Sequence, residues 1–198
     1  MEPSPSRPFH EAHRLHDGTV VTLRYIRADD APELARRFAE LSLDSRRRRF
    51  FAGLSELSAR MLRYLTEVDG YNHVAIVATV EGDEHRPRGV GVARFIRLAE
   101  APTIAEPAIT IADDFQNRGL GHLLAYVLAR AARDRGIRRF RGPILTDNLQ
   151  VHRLLGSFGV QLQAGDECQK FDIDLERPQW LQALAQTIVT AAEQNTAR

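Results

Sequence analysis

The chain has 198 residues, 43% hydrophobic content and a formal net charge of +1. That length suits one domain with a substantial core, and a charge so near zero gives no general pull toward nucleic acid or an anionic membrane. A single cysteine, Cys168, excludes an internal disulfide and any multi-cysteine metal site, and no apolar run approaches the length of a membrane span.

Residues 1–16, beginning Met-Glu-Pro-Ser-Pro-Ser-Arg-Pro, read as an N-terminal tail. The tail has no signal-peptide core, so a cytoplasmic protein is expected. The pattern predicts a first strand over residues 19–26. Asp29 and Asp30 then offer an N-cap, Pro32 suits the first turn, and Leu34, Phe38 and Leu41 form a helical stripe. A second cap at Asp44 opens the run Arg46-Arg47-Arg48-Arg49-Phe50-Phe51. Four consecutive arginines on a helix point all around it and make no single nucleic-acid stripe, so a solvated helix with internal ion pairs is expected. A further helix follows near residues 58–66, with Met61, Leu62 and Leu65 inward. Strands over 73–80 and 89–98, joined by the polar turn 81–88, form an antiparallel hairpin.

The next stretch organises the chain. Ile109 and Ile111 mark a strand, a polar turn follows, and Leu120, Leu123, Leu124, Val127, Leu128 and Ala131 form one apolar face of a long helix. Gly136 supplies its stop. A strand feeding a glycine-bearing turn into a helix N-terminus leaves backbone N–H groups unpaired at one spot, and that spot binds anions. Gly119 and Gly121 let a ligand approach the backbone closely. A Walker loop would need Lys-Ser/Thr after the last glycine, where this chain has His122-Leu123. A dinucleotide fingerprint would need a third small residue at position 124, which is Leu. Asp113 and Asp114 read as turn and capping residues, because they would repel phosphate if aimed inward. A turn without a ligand is the alternative.

A strand over 140–146, a helix over 148–158 and a final pair near 160–162 and 169–173 complete the body. Residues 178–195 carry an extra helix with Leu181, Leu184, Ile188 and Ala191 on one face. That stripe packs against the body or forms a homodimer contact.

Gln116-x-x-Gly119-x-Gly121 before an apolar helix, followed by Asn148-Leu-Gln-Val-His-Arg-Leu-Leu-Gly-Ser-Phe-Gly159, resembles the GNAT superfamily of acyl-CoA-dependent N-acyltransferases. The resemblance covers residues 18–174. It implies an α/β GNAT fold: a mixed, mostly antiparallel central sheet flanked by helices, with its fourth and fifth strands splayed around the acyl-CoA. The organisation expected is a tail at 1–16, a GNAT acetyltransferase domain at 17–174 and a C-terminal amphipathic helix extension at 175–198. The resemblance implies acetyl-CoA as cosubstrate and no metal. It also implies that Gln116 and the backbone amides of Asn117, Arg118, Gly119, Leu120, Gly121 and His122 hold the pyrophosphate. Ile109, Thr110 and Ile111 would run beside the pantetheine, and Asn148 would bond its arm; a helix N-cap is the other reading of Asn148.

Acyl transfer to an amine needs an oriented carrier, a base for the ammonium form of the acceptor, and donors for the developing oxyanion. Glu106 stands ten residues before Gln116 in Ala105-Glu106-Pro107-Ala108. This run resembles the Pat-type protein lysine acetyltransferase branch, where a glutamate in this context acts as base, often through water. Burial at a cleft mouth would suit a carboxylate to that task; a solvent-facing strand end is the bland alternative. Residues 42–51 also resemble a segment near the acceptor site of Pat-like proteins. Many GNAT enzymes carry a tyrosine acid seven residues after the asparagine, and this chain has Leu155, as the Pat branch tends to. A tyrosine-assisted mechanism is therefore excluded, and His152 reads as a surface residue. Pro143 removes an N–H from its strand, which costs nothing where that strand faces the splayed gap. The implied function is acetyl transfer from acetyl-CoA to a primary amine, a protein lysine in the Pat branch. A small-molecule amine acetyltransferase and a non-catalytic acyl-CoA sensor are the alternatives.

Overall fold

The computed structural model describes residues 9–51, 53–82, 86–163, 165 and 168–177. Its strands are β1 (His10–Arg14), β2 (Val20–Tyr25), β3 (His73–Glu81), β4 (Pro87–Leu98), β5 (Ala101–Ile111), β6 (Arg139–Leu145) and β7 (Cys168–Asp174). They form one sheet in sequence order, antiparallel throughout except for the parallel pair β5–β6. The helices are α1 (Ala31–Glu40), α2 (Leu43–Phe50), α3 (Ala59–Thr66), α4 (Leu120–Arg133) and α5 (Leu149–Ser157). This is the GNAT fold that the two motifs imply. No helix among the described residues is long and apolar enough to cross a membrane.

Side chains alternate across a strand, so each sheet face can be read from the register. Val74, Ile76, Ala93 and Phe95 pack into the main core with Leu120, Leu124 and Leu128 of α4 and Leu155 of α5. The apolar stripe of α4 is thus buried as its periodicity predicts. On the opposite face, Ala75 and Val77 cluster with Ile26, under a separate cluster of Phe38, Leu41, Leu57 and Leu65. Gly136, at φ 76°, ends α4, and the Ile137 N–H returns to the Ala132 carbonyl at 3.0 Å.

Four local expectations are revised. Residues 10–14, read as part of a tail, form β1 against β2; at an edge a polar strand needs little apolar alternation, which hides it in the sequence. The cap of α2 is Ser42, whose Oγ accepts from the Ser45 N–H at 3.2 Å, while Asp44 pairs with Arg48. Asp30 stands at the N-cap of α1 without capping it, because its carboxylate binds the Arg24 guanidinium at 2.8 and 2.6 Å. Residues 160–162 form no strand. The Val160 N–H stays on the Leu155 carbonyl at 3.1 Å as part of the helix end, and only Gln163 bridges to Lys170. The helix expected over 178–195 lies outside the described residues.

Candidate active site

The central feature of the site is a gap within the sheet. β5 and β6 pair only at Ile104↔Arg139 and Ala105↔Phe140. Beyond those residues the strands diverge, and a groove of about 200 Å³ opens between them, lined also by α4 and α5. Ladder parity shows which backbone groups face it. The Ala112 N–H donates to the Val90 carbonyl at 3.0 Å. Hydrogen-bonded pairs alternate along an antiparallel ladder, so Thr110, Ala108 and Glu106 also bond toward β4. The amides of Ile109 and Ile111 therefore point into the gap, and Pro107, two residues before Ile109, has none to offer.

Pro143 obeys the same logic from the other wall. Lys170 spends its backbone N–H and carbonyl on Gln163, so its pairing with Pro143 carries no ladder bond. The proline nitrogen faces the gap, and no hydrogen bond is lost.

Beyond Gln116, which lines the groove, the chain turns into α4. Gly119 is its N-cap residue at φ 87°, and Asn117 is left-handed too, at φ 58°. These turns bring the first amides of α4 to one point with no side-chain cap covering them. The Arg118 side chain turns away to Asp17 and to Thr19 Oγ1 at 2.7 Å, so Arg118 offers the loop its backbone alone. His16 packs against Gly119, and His122 sits beside Ser157 Oγ at 3.2 Å. Burial, and then the His16 charge, push the His122 pKa down. Asn148 is buried, and its Oδ1 caps α5 by accepting from the Val151 N–H at 3.3 Å. Its amide nitrogen donates to no described residue, so capping leaves a donor for the groove it lines.

Gln116 holds the groove rim together. Its amide nitrogen reaches Asp113 at 2.9 Å and Ser45 Oγ at 3.3 Å, and its oxygen accepts from Gln150 at 2.5 Å. Asp113 accepts from the Ser42 N–H at 2.6 Å and Ser45 Oγ at 2.5 Å, so it anchors the start of α2 rather than facing the loop. Arg47 pairs with Asp147 across the rim. The arginine run thus points four ways. Arg46 bonds the Leu41, Ser55 and Ala39 carbonyls, Arg47 and Arg48 pair with acids, and Arg49 turns inward.

Glu106 is the first β5 residue beyond the last β5–β6 pair, and it is exposed rather than buried at the cleft mouth. Its Cγ lies over Gly142, where an added Cβ would come within 3.4 Å. The register aligns three rows on its sheet face: His73–Ile96–Glu106, Ala75–Arg94–Ala108 and Val77–Val92–Thr110. Arg94 is buried and donates from Nη1 to the Leu65 carbonyl at 3.2 Å and to His73 Nε2 at 3.1 Å. A guanidinium only donates, so His73 Nε2 accepts and the proton sits on Nδ1. Sequence reasoning passed over Arg94, and it read Arg49 only as one member of a solvated run in a segment resembling the Pat acceptor side. The one visible signal was an arginine inside the otherwise apolar run Val92-Ala93-Arg94-Phe95-Ile96.

Burial, and then the Arg94 charge, lower the His73 pKa from 6.5 to about 4. Between those values the unfolded chain binds more protons than the folded one, so stability is intact above pH 6.5 and lost as pH falls toward 4. The full loss is about 3 kcal/mol. Urea denaturation at pH 7 and pH 4.5 should show a larger acid loss for the wild type than for His73→Gln, which keeps an acceptor for Arg94. Equal losses would remove His73 as the cause.

Comparison with known proteins follows the same lines. The model of the acetyltransferase (GNAT) domain family matches residues 21–161. The acetyltransferase Pat of Mycolicibacterium smegmatis is 33% identical over 147 residues, which are 74% of this chain and 43% of that protein. The chain therefore spans less than half the length of that relative. The crystal structure of the GNAT domain of S. lividans PAT superposes with a TM-score of 0.78 at 28% identity, covering 87% of this chain and 99% of that one. The fold is shared with yncA of Salmonella typhimurium, solved with its cofactor acetyl-CoA, at a TM-score of 0.63 and 16% identity over 79% of this chain and 95% of that one.

Proposed function

The chain belongs to the acetyltransferase (GNAT) family, and from that premise we propose that it transfers an acetyl group from acetyl-CoA to a lysine side chain on another protein, with Glu106 as general base. One juxtaposition carries the reading. One groove holds the Glu106 carboxylate, where the strands part, together with the gap-facing amides of Ile109 and Ile111 and with Gln116, and the uncapped helix N-terminus at Gly119 follows three residues further along the chain.

Each part suits one portion of an extended, anionic thioester. The amides of residues 117–122 and the α4 dipole meet the pyrophosphate. Ile109, Thr110 and Ile111 border the pantetheine as a strand borders its neighbour, with the Asn148 amide opposite. The acceptor arrives as an ammonium ion, and Glu106 takes its proton directly or through a water. The neutral amine then attacks the thioester carbonyl, and the Ile109 N–H faces the gap where negative charge develops on oxygen. Collapse breaks the C–S bond, coenzyme A leaves as the thiolate, and the nitrogen releases its second proton to water as the amide forms. Leu155 is buried in the core, so no side chain at that position protonates the departing thiolate.

The acceptor assignment draws on the likeness to Pat and on the arginines beside Glu106, which disfavour a polycation. Labelled acetyl-CoA incubated with the protein and a mixture of cell proteins should mark protein lysines above the no-enzyme control. Self-labelling is simple to recognise, because Lys170 is the only lysine in the chain. A parallel panel of small amines completes the test: label there, with none on protein lysines, would defeat the lysine assignment.

A further inference from the structure

The sheet face that carries Glu106 continues into a second cavity of about 90 Å³, between α1, α2 and α3 on one side and β3 and β4 on the other. Its walls are largely apolar, with Phe38, Leu57, Leu65, Val77 and Val92 among them. Arg49 and Thr110 line both this cavity and the β5–β6 groove, so the two spaces adjoin.

Charge is distributed unevenly along it. Asp30 and Glu33 stand at one end, and each is committed to its own cations. Asp30 holds Arg24, while Glu33 holds Arg36 and Arg37 and accepts from the Gly89 N–H at 2.9 Å. At the other end stand Arg94 and Arg49. Arg94 is 4% exposed, and its two acceptors, a carbonyl and an imidazole, are both neutral. Arg49 lies 4.7 Å over the Phe50 ring and donates a hydrogen bond to no described residue. No described carboxylate lies within ion-pair distance of either. Glu106 attracts Arg49 through space, while Arg49 and Arg94 repel each other. Burial lowers both pKa values, with Arg94 brought to about 9 and so still charged at neutral pH.

A buried guanidinium such as that of Arg94 costs several kcal/mol unless an anion meets it, and the half-buried Arg49 charge nearby adds to that cost. The described residues supply no carboxylate within ion-pair distance, and the cavity leaves room for one. We propose that Arg49 and Arg94 receive a carboxylate of the acceptor, so that the preferred substrates are amines bearing a carboxylate close to the amine. This rests on the acetyltransferase reading above and narrows its substrate class. Arg94 is the diagonal cross-strand neighbour of Glu106 on one face. The carboxylate thus docks on two forked donors while the amine stays beside the base. The carboxylate comes either from a free amino acid or from an acidic residue flanking the target lysine.

Two matched pairs test this. Free lysine and cadaverine differ only in the carboxylate. Two otherwise identical peptides place Glu or Gln beside the lysine. With acetyl-CoA saturating, the carboxylate-bearing member of at least one pair should have a kcat/KM about tenfold higher or more, and the pair that shows it identifies the source. The ratio should fall toward one in Arg49→Gln and Arg94→Met, and should reverse in Arg49→Glu. A ratio within one variant is unaffected by partial loss of folded protein, and Arg49→Gln alone suffices if Arg94→Met does not fold. Equal rates within both pairs for the wild type overturn the inference, as does a preference that survives both substitutions. Calorimetry of the same compounds on the protein loaded with coenzyme A separates the two ideas. An Arg49-dependent binding preference without any acetylation upholds the carboxylate site and fails the acetyltransferase reading. Acetylation without preference fails the carboxylate site alone.

Discussion

Glu106→Gln is expected to lower turnover by about a hundredfold or more, the usual cost of losing a general base, while acetyl-CoA affinity barely changes. Glutamine matches glutamate in shape, so the contact over Gly142 and the β5 register persist. What it loses is the ability to accept a proton. The defect should shrink as pH rises, because more of the acceptor amine is then already neutral. Rate profiles of both proteins against pH read this directly. A loss that does not vary with pH would point to a role other than proton transfer, with the nearby Arg49 charge as the first place to look. No loss at all would favour a non-catalytic acyl-CoA sensor, which has no need of a base.

The parts of the site made by local sequence were legible, and those made by register were not. Gln116, Gly119 and Gly121 stand close together in the chain and build one turn, so strand, loop and helix follow from spacing alone. The gap beside Pro143 was expected from the family resemblance, and the missing N–H of that proline found its place there. Arg94 and Glu106 are a different case. They meet only because Ile96 pairs with Glu106 and Arg94 with Ala108, and a slip of one residue would send Arg94 to the α4 face. Arg49 belongs to a run that composition reads as solvated. Its inward turn is set by where Ser42 and Asp113 fix the start of α2, a bond spanning 71 residues of chain. His16 was hidden for a related reason. It follows an edge strand without apolar alternation, and it reaches Gly119 only through the fold.

Gly119→Val should abolish coenzyme A binding by calorimetry and leave the circular-dichroism spectrum intact. At φ 87° a β-branched residue is strained by about 1–2 kcal/mol, and the new Cβ would fall inside the space of the His16 imidazole. The fold tolerates this, because α4 is held from its first turn onward by Leu120, Leu123 and Leu124 in the core, and the exposed His16 can swing out. The anion site does not tolerate it, because its amides converge only while Gly119 keeps its left-handed turn. Two companions isolate the cause. Gly121→Ala places its Cβ 3.4 Å from Ile111 Cδ1, close to ordinary contact and without a left-handed φ, and should weaken binding far less. The double variant His16→Ala/Gly119→Val removes the clash but keeps the strain, and should still fail to bind. Recovery in that double variant would mean that His16, not the amide cradle, governs the site. Unchanged affinity in Gly119→Val itself, with a normal spectrum, would remove the loop as the place where the pyrophosphate sits.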